Sequence, residues 1–167
     1  MVVILDIECN WIEKKMIIKE LAFIDVANPL DLKHYILKPS IPWENVKADD
    51  KKRNSYCYYN IHHIPYELGD NELCELDNIF EDGTKIIVSG CEKAKLIQSL
   101  FPKCSVQDYN MRNLSELLLP YLHIKCPFGN HSTNHCAVFK VYKLYHLNSL
   151  YYGNAKRRNF FPIQRNG

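Results

Sequence analysis

The chain has 167 residues, which suits one domain with a hydrophobic core rather than two. Its hydrophobic fraction of 47% and charged fraction of 24% are ordinary for a globular protein and argue against a largely disordered chain. The net charge of +2 is too small to indicate a nucleic-acid partner by itself, so any basic surface must come from local clustering.

The seven cysteines favour a reducing compartment, because their number is odd and their spacing suggests no disulfide framework. The apolar start at residues 2–5 stops at Asp6, so we expect no signal peptide. No apolar run approaches the length of a membrane span, and we expect no membrane partner. The sequence therefore predicts an intracellular protein, cytoplasmic or nuclear.

Three strands are predicted in the first part of the chain, over residues 2–7, 17–26 and 34–38, with a turn at Asn28-Pro29. Their short connections indicate an antiparallel meander. The charged stretch over 47–60 is predicted to be an exposed loop, because its charges nearly balance and it has no apolar periodicity.

The second part of the chain alternates helices and strands. Helices are predicted over 71–80, 92–101, 114–119 and 135–150, and strands over 85–89 and 105–109. This order predicts an α/β fold, in which a five-stranded mixed sheet combines the antiparallel meander with two parallel strands and is flanked by helices. We expect one domain over 1–150 and a basic C-terminal tail over 151–167.

Two acids lie on the first predicted strand. Asp6 and Glu8 are separated by one residue, so their carboxylates share one face of the strand. Two oxygen ligands at the end of a buried strand are typical of a Mg²⁺ or Mn²⁺ site. The spacing alone occurs often by chance, and two solvent-facing acids are the alternative.

The sharpest local pattern is C-x4-H-x4-C, formed by Cys126, His131 and Cys136 in a loop of turn-forming residues. Thiolates and an imidazole this close in sequence suit tetrahedral zinc, which requires a fourth ligand. His123 would complete a pattern with the spacing of a zinc knuckle, a module that binds bases of single strands. A ligand distant in sequence is the other possibility.

His135 lies next to Cys136 at the start of the last predicted helix. A histidine in this position can be a metal ligand, a general base, a cap or a surface residue of the first helical turn. The local sequence leaves these roles open.

Together these residues resemble the DEDDh 3′–5′ exonuclease family, which has a ribonuclease H-like fold. That family opens with D-x-E, has an H-G-I-like turn similar to residues 61–65, and ends with a helical histidine that His135 matches. The closest resemblance is to its zinc-containing subset, the arenavirus nucleoprotein exonuclease domain and the Maelstrom domain. The resemblance implies a structural zinc and places its first ligand in the second strand, so the implied ligands are Glu20, Cys126, His131 and Cys136.

The resemblance also implies a catalytic set in which acids bind two Mg²⁺ or Mn²⁺ ions and the histidine deprotonates water. Here that set would be Asp6, Glu8, Glu92 and His135, with Glu92 standing in for the third acid. The fourth acid is replaced by Lys140, whose positive charge opposes cation binding.

Three functions follow as hypotheses. The first is a 3′–5′ exonuclease that acts on RNA, or on DNA. The second is a degenerate, Maelstrom-like domain that binds single-stranded RNA or a protein partner, with a basic surface from Lys51, Lys52, Arg53 and the tail arginines. Tyr56, Tyr58 and Tyr59 lie near that surface and are expected either to stack on bases or to pack within the protein. The third hypothesis is an interaction module whose zinc only stabilises the fold.

Overall fold

The computed structural model describes residues 1–110, 124–129, 131 and 134–155, without the side chains of 151–155. In this part of the chain the main elements are β1 (Val2–Ile12), β2 (Lys15–Asp25), β3 (Asn28–Ile36), α1 (Ala48–Cys57), β4 (Lys85–Val88), α2 (Cys91–Leu100), β5 (Ser105–Asp108) and α3 (Ala137–Ala155). Shorter helical turns are Trp43–Asn45, Tyr58–His62 and Leu73–Leu76.

The strands form one five-stranded sheet in the order β3-β2-β1-β4-β5. The first three strands are antiparallel neighbours, whereas β4 is parallel to β1 and β5 is parallel to β4. The parallel pair β4 and β5 is connected through α2, as a parallel connection requires. The predicted α/β fold, with an antiparallel meander and two parallel strands, is confirmed.

The two faces of the sheet carry separate hydrophobic clusters, because successive residues of a strand point to opposite sides. Val3, Leu5 and Ile7 of β1 pack in the cluster that includes Ile97 of α2. Ile4 packs in the other cluster, which is covered by buried residues of α3, namely Ala137, Val138, Val141 and Leu144. The even-numbered residues of β1 therefore continue beneath α3, and Asp6 and Glu8 are among them.

The predicted loop over 47–60 is wrong, since residues 48–57 form α1. The inward face of this helix is polar. Asp50 accepts hydrogen bonds from the backbone N–H of Lys14 (3.3 Å), and Asn54 exchanges two with the backbone of Trp11 (2.7 and 2.8 Å). Asp50 and Asn54 are both buried and lie four residues apart, which is the spacing of one helix face. Because both are polar, a search for apolar residues at that spacing does not detect the helix.

Other boundaries differ from the predictions. β1 extends to Ile12, so Asp6 and Glu8 lie in the middle of the strand rather than at its end. The predicted helix over 71–80 is only a turn at Leu73–Leu76, and Pro29 lies within β3 instead of in a turn. The helix α3 continues past residue 150, and the predicted helix over 114–119 and residues 156–167 of the predicted tail lie outside the described residues.

Candidate functional site

A buried group that can hold a metal ion such as zinc lies between the sheet and the start of α3. It consists of Glu20, Cys126, His131 and Cys136, whose ligand atoms all lie within 4.8 Å of one another. We call it the metal group. It brings together the four residues that the resemblance implied, whereas His123, the alternative fourth ligand, lies outside the described residues.

The donor atoms of the metal group are close enough to bind one ion. The Glu20 Oε1 atom lies 3.4 Å from His131 Nε2 and 3.6 Å from Cys136 Sγ, and Cys126 Sγ lies 3.0 Å from His131 Nε2. Zinc bonds of about 2.0–2.3 Å in a tetrahedron separate the ligand atoms by about 3.3–3.8 Å, a range that includes both Glu20 distances, whereas the distance between Cys126 and His131 is shorter. Two sulfurs, one imidazole and one carboxylate are also the donor types that zinc prefers.

Local backbone geometry brings the donors of the metal group together. Gly129 has a φ of 92° and donates to the carbonyl of Cys126 (3.0 Å), which closes a tight turn, and His131 then donates to the carbonyl of Gly129 (3.1 Å). Glu20 accepts a hydrogen bond from the backbone N–H of Ala137 at the first turn of α3 (2.9 Å). A helix N-terminus stabilises a carboxylate, so α3 holds Glu20 in the group.

Residues around the metal group orient its ligands. The His131 Nδ1 atom lies 3.0 Å from the carbonyl oxygen of His62, an acceptor only, so Nδ1 carries the proton and Nε2 keeps its lone pair for a metal. His62 is itself fixed, because its Nε2 lies 3.1 Å from Asn10 Oδ1 and its Nδ1 accepts from the Ile64 N–H. Burial lowers the pKa of His62 to about 4, so this ring is neutral at pH 7.

His34 is a neighbour of the metal group that the sequence did not reveal. It lies on β3, and its Nε2 atom is 2.8 Å from Glu20 Oε1 and 3.9 Å from Cys126 Sγ. A hydrogen bond from His34 to the ligand oxygen fixes the orientation of the carboxylate. A lone histidine on a strand has no spacing pattern, and only the pairing of β2 with β3 brings it here.

The thiols of the metal group are strongly coupled. The hydrogen bond from Cys136 lowers the pKa of Cys126 most, and despite an opposing effect of burial the pKa of that thiol is well below its usual value. The same hydrogen bond, followed by burial, raises the pKa of Cys136. The Cys126 thiolate is therefore readily formed, and a bound metal would draw the second thiol into the same state.

A second buried group lies beside the metal group on the same face of the sheet. Asp6 and Glu8 are buried, and two ammonium groups contact them. Lys93 Nζ lies 2.8 and 3.0 Å from the two Asp6 oxygens and 3.9 Å from Glu8, and Lys140 Nζ contacts Glu8 and lies 4.0 Å from Asp6. We call these four residues the acid–lysine cluster. Its two positive charges balance its two negative ones.

The charges within the acid–lysine cluster perturb one another. Burial lowers the pKa of Lys93, but the carboxylates of Asp6 and Glu8 outweigh it and hold that pKa above its usual value. Burial raises the pKa of Glu8, against the lowering effects of Lys93 and Lys140. Lys93 is thus fully protonated at pH 7 and occupies space next to the oxygens that a catalytic cation would need.

The proposed role of Glu92 as third acid is not supported by its position. Its side chain is 69% exposed and pairs with Lys95 at 2.9 Å, whereas Asp6 is 2% exposed. Successive residues of a helix point about 100° apart, and on α2 it is Lys93 whose side chain reaches Asp6, while Glu92 points to solvent. Sequence reasoning did not identify Lys93.

His135 lies beside the acid–lysine cluster, at the start of α3. Its pKa is lowered by partial burial and then by the nearby charges of Lys140 and Lys93. The ring is therefore neutral at pH 7. Of the predicted catalytic set, Asp6, Glu8 and His135 are brought to one region, and Glu92 is not.

No helix in the described part of the chain has the length and apolar character of a membrane span. Neither the protein-family models nor the curated proteins include a match to this chain.

Proposed function

We propose that the chain is a catalytically silent domain of the ribonuclease H-like exonuclease type, stabilised by a structural zinc, that binds single-stranded RNA without cleaving it. The observation that carries this proposal is the placement of Lys93 and Lys140 on the carboxylates of Asp6 and Glu8. The strand order and the positions of Asp6, Glu8 and His135 support the relationship to exonucleases.

The acid–lysine cluster argues against two-metal hydrolysis. Two divalent ions need several carboxylate ligands with an excess of negative charge, and here two ammonium groups cancel both carboxylates. A metal would also have to displace ammonium groups that are held at hydrogen-bond distance. Lys93 and Lys140 thus provide the positive charge that metal ions would provide next to Asp6 and Glu8 in an active exonuclease.

The same charges suit a phosphate group. Lys143 lies close enough to Lys140 for that charge to lower its pKa, after the effect of burial. Lys93 and Lys140 already neutralise the carboxylates of Asp6 and Glu8. A phosphodiester would therefore not be repelled here in the absence of a metal, which is the basis for proposing RNA as the partner.

A second basic surface lies on α1. Lys52 and Arg53 are exposed there, and Arg53 lies 4.8 Å from the centre of the Trp11 ring. Because β1 carries both Trp11 and the acid–lysine cluster, α1 can extend the contact with an RNA backbone beyond the cluster. Contacts of this kind weaken as the salt concentration rises.

Zinc in the metal group would have a structural role. Its four ligands come from β2, the loop at 126–131 and the start of α3, so a bound ion would connect segments far apart in sequence. Four protein ligands also leave no open position for substrate, which is typical of structural rather than catalytic zinc. The ion would thereby fix α3, which carries Lys140 and Lys143, against the sheet.

A binding and cleavage assay with Glu8→Gln tests the proposal. A 5′-labelled 20-nucleotide RNA is incubated with zinc-loaded protein and Mn²⁺, and its binding is measured across a salt series. We expect no shortening by the wild type and binding that weakens with salt. Glu8→Gln removes a negative charge beside Lys93 and Lys140 and should increase the affinity.

Glu92→Gln is the matched control, because it removes one exposed carboxylate a residue away from Lys93, and it should change the affinity less than Glu8→Gln. Mn²⁺-dependent shortening that disappears in Glu8→Gln would instead establish an active exonuclease. Absence of RNA binding at low salt would overturn the RNA part of the proposal and leave a protein partner.

A further inference from the structure

An aromatic cleft opens on the surface beside α1. It lies between the turns Trp43–Asn45 and Tyr58–His62 and the loop that follows them, and its volume is about 500 Å³. Four aromatic rings line it, those of Trp43, Tyr58, Tyr59 and Tyr66. This volume lies within the range of about 300–1,000 Å³ that is usual for ligand sites.

The rings of the cleft form two inclined pairs. Trp43 and Tyr66 have ring centres 5.1 Å apart with an interplanar angle of 57°, and Tyr58 and Tyr59 have ring centres 4.8 Å apart with an interplanar angle of 68°. Tyr59 is 71% exposed, so a large apolar area faces solvent at this point. Proline rings of an extended peptide pack on aromatic surfaces of this kind.

The charge of the cleft selects a cationic ligand. Among the described residues that line it there are two glutamates, Glu44 and Glu67, and neither lysine nor arginine. The backbone N–H of Trp43 donates to Glu67 Oε1 (3.1 Å), which holds that carboxylate beside the rings. Lys51 Nζ already lies 5.8 Å from the centre of the Trp43 ring, so this ring attracts a cation. The carboxylates of Glu44 and Glu67 would repel the phosphate groups of RNA.

The cleft is held in shape by a buried lysine. Lys19 is the extra residue at the register shift between β1 and β2, and its Nζ atom donates to the carbonyls of Leu37 (3.1 Å), Tyr66 (2.7 Å) and Leu68. At Gly69 a Cβ atom would lie 2.5 Å from the backbone of Leu37, so only glycine allows this close approach. These contacts fix the loop that carries Tyr66 and Glu67, which lowers the ordering cost of binding.

From this combination we infer that the cleft is a docking site for a proline-rich peptide segment that carries arginine. The prolines would pack on the aromatic rings, and the arginine would pair with Glu44 or Glu67. The residues that line the cleft differ from those proposed to contact RNA, although α1 contributes to both.

Fluorescence anisotropy with a designed probe tests this inference. The probe is a fluorescein-labelled peptide of four Pro-Pro-Arg repeats, compared with Pro-Pro-Glu and Gly-Ser-Arg versions of the same length. We expect the first probe to bind most tightly. Tyr59→Ala should weaken it about fivefold to tenfold, because it removes a ring on which the prolines would pack.

Tyr56→Ala is the matched control, because Tyr56 is 60% exposed on the same helical segment but does not line the cleft. It should leave the affinity unchanged within about twofold. The double variant Glu44→Gln and Glu67→Gln should lose the preference for Pro-Pro-Arg over Pro-Pro-Glu.

Equal binding of the arginine and glutamate probes, or equal effects of Tyr59→Ala and Tyr56→Ala, would overturn the inference. It would also be overturned if Tyr59→Ala abolished RNA binding and left peptide binding intact, because the cleft would then be a nucleic-acid surface. Failure of the RNA proposal, judged from Glu8→Gln, leaves this test unaffected.

Discussion

Glu8 and Glu20 are direct cross-strand partners on β1 and β2, yet they belong to two groups of opposite chemistry. Glu20 lies among two thiols and an imidazole and accepts a backbone N–H from α3. Glu8 lies between two ammonium groups. The same residue type on the same face of the sheet is thus placed to bind a metal in one region and to pair with lysine in the other.

The comparison shows that the two groups are supported by different contacts. The metal group is completed by a loop and the first residues of α3, and neighbouring residues such as His34 and His62 orient its ligands. The acid–lysine cluster is completed by one residue from α2 and one from the next turn of α3. A substitution in one group can therefore leave the contacts of the other intact.

Loss of the metal should have the largest effect. Because a structural zinc contributes its binding free energy to folding, we expect Cys136→Ser to lower the free energy of unfolding by more than about 5 kcal/mol or to prevent folding. Zinc content by mass spectrometry and thermal melts with and without chelator measure this effect. Cys74→Ser, which removes an exposed thiol, should melt like the wild type. A purified, folded wild type without any bound metal would contradict the metal site.

Breaking the acid–lysine cluster should have the next largest effect. Lys140→Met leaves Glu8 buried with one fewer partner, and we expect a loss of about 2–4 kcal/mol in urea unfolding. The double variant with Glu8→Gln should recover most of this loss, since the uncompensated charge is removed. Lys95→Met, which breaks the exposed pair with Glu92, should cost less than about 1 kcal/mol. Equal losses in Lys140→Met and Lys95→Met would show that the cluster has no stabilising role.

Sequence reasoning anticipated the metal group better than the cluster. The C-x4-H-x4-C spacing pointed to Cys126, His131 and Cys136, whereas Glu20 came only from the resemblance, because it is more than 100 residues away. Lys140 was identified from its distance to His135, at the position where the resemblance implies an acid. Lys93 was missed because the adjacent Glu92 matched the acid that the resemblance implies. The two side chains point about 100° apart on the helix, so choosing the wrong one changes the expected charge next to Asp6 from positive to negative.

Prediction of the fold from the sequence was limited in the same way. Strands with apolar faces and the mixed sheet were predicted, since burial imposes a pattern on their residues. The helix α1 was not, because its buried positions are Asp50 and Asn54, which are satisfied by backbone groups of distant residues. Contacts of this kind are fixed by tertiary structure and leave no local signal.

His34 offers a finer test of the metal group. Removing the hydrogen bond to Glu20 Oε1 leaves the four ligands in place but frees the carboxylate to rotate. We expect His34→Ala to lower the zinc affinity by about 10–100-fold while the cobalt-substituted protein keeps the absorption bands of a two-thiolate site. His34→Gln, which keeps a donor, should recover part of the affinity. His63→Ala removes an exposed histidine and serves as the control. Unchanged affinity in His34→Ala would mean that Glu20 is oriented by Ala137 alone.

The smallest effect is expected for Glu92→Gln, and its comparison with Lys93→Gln shows which side of α2 faces the acid–lysine cluster. Glu92 pairs with Lys95 in solvent, so Glu92→Gln should change the free energy of unfolding by less than about 0.5 kcal/mol. Lys93→Gln changes the adjacent residue, but it removes the cation held between Asp6 and Glu8 and should cost about 2 kcal/mol or more. Urea unfolding of both variants measures the difference. If Glu92→Gln were the more destabilising change, α2 would be turned by about 100° from the orientation described. Glu92 would then lie next to Asp6, as the sequence prediction of a third acid requires.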